Sequence, residues 1–204
     1  GGASPSLLSL SLGPTGSGKD APIKCMRRIF RDASAAHLVG MGNLASDTAL
    51  TTYLDQVDNT AACVMDEIGE VFGKIANDKS GCLAGLIKEW MELFSSAGDP
   101  YYGKKYADIK RNVDIDYTCF NLHGSSVPES VHDSMDGSSI TSGFLPRVLI
   151  WRVDSRADDR EIVRKPPPEQ LLEKVRGWLA MPKHTQHQVQ MDAAAAVKFR
   201  EYRR

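Results

Sequence analysis

Gly13, Gly18 and Lys19 fall at GxxxxGK spacing within the stretch GPTGSGKD, residues 13–20. Glycines let a backbone wrap closely around phosphate, amides at the head of a following helix favour negative charge, and a lysine there reaches the outer phosphate oxygens. Gly13, Pro14, Thr15, Gly16, Ser17, Gly18, Lys19 and Asp20 are therefore the candidate nucleotide-binding residues. A bare turn between strand and helix would need neither the further glycine, Gly16, nor a lysine in register. The last position departs from the usual Ser or Thr, whose neutral hydroxyl ligates Mg²⁺. Asp20 offers a carboxylate instead, which suits a metal but without one sets negative charge beside phosphate. Two roles stay open: a metal ligand, direct or through water, or a helix-start residue in a site whose hydrolysis is weakened or lost.

Asp66 and Glu67 close the apolar run AACVM, residues 61–65. At the end of a buried strand such a pair divides the work of triphosphate hydrolysis. Asp66 would hold Mg²⁺, usually through water, and Glu67 would orient and polarise the attacking water. The plain alternative is a helix start, where acids are favoured anyway. Arg147 can spread its positive charge over a transferring phosphoryl group, or it can merely cap a helix or pair with a carboxylate.

Three further groups are weaker. Tyr101, Tyr102, Lys104, Lys105, Tyr106, Lys110 and Arg111 interleave rings and cations as single-stranded nucleic-acid binders do, though a solvated loop with tyrosines tucked onto the core has the same composition. His184 and His187 read as polar surface rather than a metal pair. His123 reads as a half-buried, hydrogen-bonded histidine before it reads as a nucleotide contact.

These residues need elements to hold them. Ser6–Leu12 reads as a strand entering the glycine turn, and Ile23, Met26, Ile29 and Phe30 give a helix over 22–31 with Pro22 in its first turn. HLVGMG (37–42) reads as a second strand, and Ser46 caps a helix that presents Leu50, Tyr53 and Leu54 on one face. AACVM reads as a strand buried on both faces, 82–97 as an amphipathic helix, 99–111 as a loop and 116–126 as another buried strand. Ser126 and Glu129 have the spacing of a capping box for the next helix. A strand over 146–153 and two helices, PEQLLEKVRGWLA and MDAAAAVKFREYR, complete the chain. Strands alternating with helices predict a three-layer α/β/α fold with a mostly parallel sheet. The core spans 1–155, a proline-rich linker or excursion 156–168, and a small C-terminal helical segment 169–204.

The chain has 204 residues, 42% hydrophobic, with a net charge of −1, enough for one main core and without a global field that would draw nucleic acid. Contact with DNA must then come from a local patch. Cys25, Cys63, Cys82 and Cys119 form no CxxC pair, which predicts reduced thiols, and no apolar run spans a bilayer, so the expectation is a cytoplasmic protein with no membrane partner. A start at Gly-Gly-Ala reads as a piece of something longer.

The succession GPTGSGKD, ASDTALTTYLDQ, AACVMDEIGEVF, LIKEWMELFSSAGDPYYGKKYADIK, CFNLHGSSVPESV and SGFLPRVLIW resembles the phage- and prophage-encoded primase–helicase-like ATPases over residues 5–153. GSSVPES and GFLPR are its more specific segments. The resemblance implies a P-loop NTPase core of RecA-like or AAA+-like type that binds ATP and Mg²⁺, acts on DNA at replication forks and assembles as a homo-oligomeric ring. It implies that Ser125 and Ser126 sense the γ-phosphate and that Arg147 is the arginine of the GFLxR segment. Serines stand at 125 and 126 where relatives commonly have threonine, and Asp20 is the larger departure. The expected function is thus an ATP-hydrolysing, helicase-like motor domain, with a nucleotide-binding subunit that no longer turns over, or a DNA-packaging or remodelling ATPase, as the rivals.

Overall fold

The computed structural model describes residues 6–40, 42, 46–78, 81, 83, 85–97, 99–103, 105, 107, 112–135, 143–155, 165–181 and 192–202. Along the chain run β1 (Leu8–Leu12), α1 (Ala21–Asp32), β2 (Val39–Gly40), α2 (Asp47–Gln56), β3 (Thr60–Met65), α3 (Ile68–Ala76), α4 (Leu86–Ser95), β4 (Tyr101–Tyr102), β5 (Asp114–Ile115), β6 (Cys119–Ser126), α5 (Pro128–Ser134), β7 (Val148–Arg152), α6 (Glu169–Leu179) and α7 (Ala193–Tyr202). Five strands make one parallel sheet in the order β2-β3-β6-β1-β7, so the fold is α/β as the alternation predicted.

Register decides what faces what. Leu8 pairs with Leu122, and Leu122 with Cys63, so Leu8, Leu10, Phe120, Leu122, Ala61, Cys63 and Met65 lie on one face of the pleat and are all buried. Ile68 and Phe72 of α3 and Leu86, Trp90 and Leu93 of α4 join them in the main core. There Phe72, Trp90 and Phe144 pack as a ring cluster with centroids 5.9–6.3 Å apart. Against the other face lies α1, whose Pro22, Met26 and Phe30 border a cavity of about 410 Å³ above Ser9, Ala62, Val64, Asn121 and His123. At its C-terminal end α1 receives α6, through Leu172 and Val175 against Ile29 and Ala33.

Several local signals act as the sequence predicts. The Ser46 hydroxyl accepts from the Ala49 amide at 3.1 Å and starts α2, which buries Leu50 and Leu54 completely. Pro22 sits in the first turn of α1. Others do not. The expected loop 99–111 begins with β4, which closes an antiparallel hairpin with β5. The predicted capping box fails as well: α5 has Val127 at its N-cap with no side-chain cap bond, because the Ser126 hydroxyl faces α3 instead. α3 is a helix that the sequence reading did not include, although Ile68, Val71, Phe72 and Ile75 stand at helical spacing. The predicted strand 146–153 is β7, an edge strand whose Leu149, Ile150 and Trp151 are exposed. Residues 156–164 of the predicted linker, and His184 and His187, lie outside the described residues.

Candidate functional site

Three neighbouring strands, β3, β6 and β1, bring their carboxyl ends to one place. Met65 is level with Gly124, and Leu12 with Ser126, so the next residues, Asp66 and Gly13, flank the tip of β6. The Gly13 amide donates to the Ser126 carbonyl at 3.2 Å and fastens the glycine loop to that tip. The Ser125 hydroxyl donates to Asp66 Oδ1 at 2.6 Å. That of Ser126 reaches Glu67 Oε2 at 3.4 Å while accepting from the Gly69 amide at 3.3 Å. Both serines are fully buried. Lys19 Nζ lies 3.1 Å from Glu67 Oε1, with the lysine side chain 11% exposed. Lys19, Asp66, Glu67, Ser125 and Ser126, predicted from three separate stretches, therefore form one linked group.

The backbone is bent to allow this. Glu67 adopts φ +51°, the left-handed region that costs a non-glycine residue about 1–2 kcal/mol. Asp66 Oδ1 accepts from the Glu67 amide at 3.1 Å and braces that bend. Gly69 is the neighbour that sequence reasoning missed. A Cβ there would lie 2.7 Å from Ser126 Oγ and 2.4 Å from Ser130 Oγ, so only glycine lets α3 approach the two serines this closely. A glycine two residues beyond an acidic pair was the signal available in the sequence.

Within the loop, Gly16 and Gly18 take φ +78° and +80°, as a wrapping backbone needs. α1 starts at Ala21, so Lys19 and Asp20 sit just before it rather than inside its first turn. Ser17 Oγ is buried without a partner among the described residues and closes on Gly13, where a Cβ would lie 2.6 Å from it. The Asp20 carboxylate accepts from Lys24 and is drawn below the usual carboxylate range, chiefly by that hydrogen bond. Asp20 is thus engaged along α1, whereas Asp66 stands exposed at the strand tip. Among the described residues no cluster of three or more His, Cys, Asp or Glu could hold a metal unaided. Mg²⁺ on a nucleotide needs only one or two carboxylates beside phosphate and water, a demand that Asp66 fits by position.

The other candidates fall elsewhere. Arg147 Nη1 donates to the Gly143 carbonyl at 2.7 Å, within the short turn leading into β7, which is the local capping role rather than contact with the linked group. Tyr101 is buried and its hydroxyl donates to Glu89, so it belongs to the core, whereas Tyr102 is 73% exposed. Lys105 pairs with Asp114 of β5. Lys104, Tyr106, Lys110 and Arg111 lie outside the described residues.

His123 lies beneath α1 and lines the cavity there. The Ser9 hydroxyl lies 3.3 Å from the Leu122 carbonyl and shares a 2.9 Å hydrogen bond with His123 Nδ1, and Nε2 is buried with no partner among the described residues. Burial disfavours the imidazolium and lowers the His123 pKa below its ordinary value. The unfolded chain therefore binds more protons than the native one over the interval between the lowered value and about 6.5. Stability from this group is complete above about pH 6.5 and declines as pH falls through the native value. Thermal melts from pH 7.5 to 5 should show this acid loss reduced in His123→Gln, and equal slopes in the two proteins would remove His123 as its cause.

No family model and no curated protein matches the chain. None of the helices in the described residues is long and apolar enough to cross a membrane.

Proposed function

We propose that the chain is a P-loop ATPase with a three-layer core of RecA-like or AAA+-like type, the motor domain of a phage or prophage replication protein that works on DNA as a homo-oligomeric ring. The observation that carries the nucleotide reading is the linked group of Lys19, Asp66, Glu67, Ser125 and Ser126 at the carboxyl ends of β1, β6 and β3. Ligands of open α/β sheets bind at those ends. With β6 between them, the tips of β1 and β3 stand about 10 Å apart, two strand spacings, and Lys19 reaches across that interval to Glu67, the place that the end of a triphosphate and one water would take.

The residues divide the work as follows. The glycine loop binds the phosphates, and Lys19 leaves Glu67 for the β and γ oxygens. Glu67, released, orients water for in-line attack and takes its proton, while Ser125 and Ser126 hold the two carboxylates at fixed spacing. Bound Mg²⁺, held through Asp66, supplies neutralisation of the phosphate charge. Arg147 completes the site from its own chain or a neighbour's once it gives up Gly143. Calorimetry with Mg²⁺ and a non-hydrolysable ATP analogue should register uptake that Lys19→Ala abolishes. No uptake of any nucleotide would overturn the reading.

One observation favours a second reading, a nucleotide-binding module without turnover. Asp20 is committed to Lys24, not to the acidic pair. Steady-state phosphate release separates the two, and its stimulation by single-stranded DNA separates a helicase-like motor from a packaging or remodelling ATPase.

A further inference from the structure

The chain is nearly neutral, but its charge is not evenly spread. Lys24, Arg27, Arg28 and Arg31 follow one another at i, i+3, i+4 and i+7 on α1, which is the spacing of a single helical stripe. Together with Ala36 and Val39 they line a concave groove of about 480 Å³. Among the described residues Asp20 and Asp32 answer them, one at each end of the helix: Lys24 pairs with Asp20, while Arg28 and Arg31 share Asp32. Four cations against two carboxylates leave a local surplus of two. Arg27 has no carboxylate partner among the described residues; its Nη2 donates to the Val64 carbonyl at 2.9 Å, and the residue is exposed. Arg28 Nε is buried with no hydrogen bond among the described residues, at 3.6 Å from Asp32, while its Nη1 donates to the Lys165 carbonyl at 3.2 Å. Lys24 and Arg31 side chains are 74% and 68% exposed.

We propose that this groove is a binding site for the sugar–phosphate backbone of single-stranded DNA. Guanidinium and ammonium groups without full neutralisation are the chemistry that takes phosphate, and planar guanidinium forks suit its oxygens best. Lys24 and Arg31 are seven residues apart, a rise of about 10 Å, so the stripe reaches more than one phosphate of an extended strand. Among the described residues no ring lines the groove, so it holds backbone and does not read bases. At about 480 Å³ the groove takes the backbone of one strand, not the two strands of a duplex. The proposal leans on the preceding functional reading only in naming DNA as the polyanion; the phosphate chemistry stands on the groove itself.

Fluorescence anisotropy with labelled oligo-dT, titrated across salt concentrations, tests it. Every phosphate that a cation no longer neutralises lowers the slope of log K against log salt by about 0.7 for a single strand. Arg31→Gln should lower it by about that amount and Arg27→Gln/Arg31→Gln by about twice as much, while Lys88→Gln, an exposed cation on α4, leaves it unchanged. Calorimetry on the same variants should show nucleotide uptake as in the parent, so failure of the groove and failure of the nucleotide site are read separately. Slopes unmoved in both arginine variants, or lowered equally by Lys88→Gln, would overturn the proposal. So would tighter binding of an oligo-dA/oligo-dT duplex, or capture of inorganic tripolyphosphate without capture of oligo-dT.

Discussion

Glu67→Gln is expected to lower Mg²⁺-dependent phosphate release by about 10²–10⁴-fold, the usual worth of a positioned general base. The same change should tighten nucleotide uptake. Lys19 and Glu67 lie 3.1 Å apart in the free protein, so the triphosphate must take the lysine away from a carboxylate. The Glu67 side chain is 43% exposed, and a pair whose carboxylate is this open to solvent is worth up to about 1 kcal/mol, so removing the competition gives about two- to fivefold tighter binding. Gln keeps the length of the side chain, and it inherits the same left-handed backbone, so the comparison isolates charge. Phosphate release by malachite-green assay and uptake by calorimetry should therefore move in opposite directions. Equal release in parent and variant would deny Glu67 the water-orienting role, and a joint loss of release and uptake would make its carboxylate part of the binding surface instead.

The parts of this site that were legible in sequence are those where chemistry and local structure require the same residue. GPTGSGKD announces a turn with positive-φ glycines, and Gly16 and Gly18 take that conformation. Asp66-Glu67 after AACVM announces a strand tip, and β3 ends at Met65. What the sequence hid is set by partners far along the chain. The Ser126 hydroxyl had a suitable Glu three residues on, but a closer demand came from Glu67 and the Gly69 amide across the sheet. β4 and β5 are two residues each and exist only by pairing with one another, so no period along either could mark them. Tyr101 could be read as a stacking ring or as tucked onto the core, and its hydroxyl on Glu89 of α4 decides for the core. Asp20 is the opposite case. Its identity was plain, but whether it faced phosphate or its own helix depended on Lys24, one turn away.

Gly124→Ala should destabilise the protein by about 1–3 kcal/mol, the cost of forcing volume into a filled core. A Cβ at Gly124 would lie 2.6 Å from Ile68 Cδ1, 2.7 Å from its Cγ2 and 2.9 Å from its Cβ. Ile68 is fully buried in the main core and β-branched, so it cannot swing away as a long surface side chain would. For a chain of this size the loss appears as a fall in Tm of about 2–4 °C per kcal/mol. Ile68→Ala alone should cost about 2–5 kcal/mol through the cavity it leaves. Because the added methyl occupies part of that cavity, Ile68→Ala/Gly124→Ala should be more stable than the sum of the two changes predicts, by about 0.5–3 kcal/mol. Strict additivity in denaturant melts would mean that the two residues do not press on one another. The packing here also matters for chemistry, since Gly124 immediately precedes Ser125 and Ile68 immediately follows Glu67. Wedging them apart separates the serines from the carboxylates they hold, so Gly124→Ala should lose phosphate release at temperatures where it is still folded, and Ile68→Ala/Gly124→Ala should recover part of it.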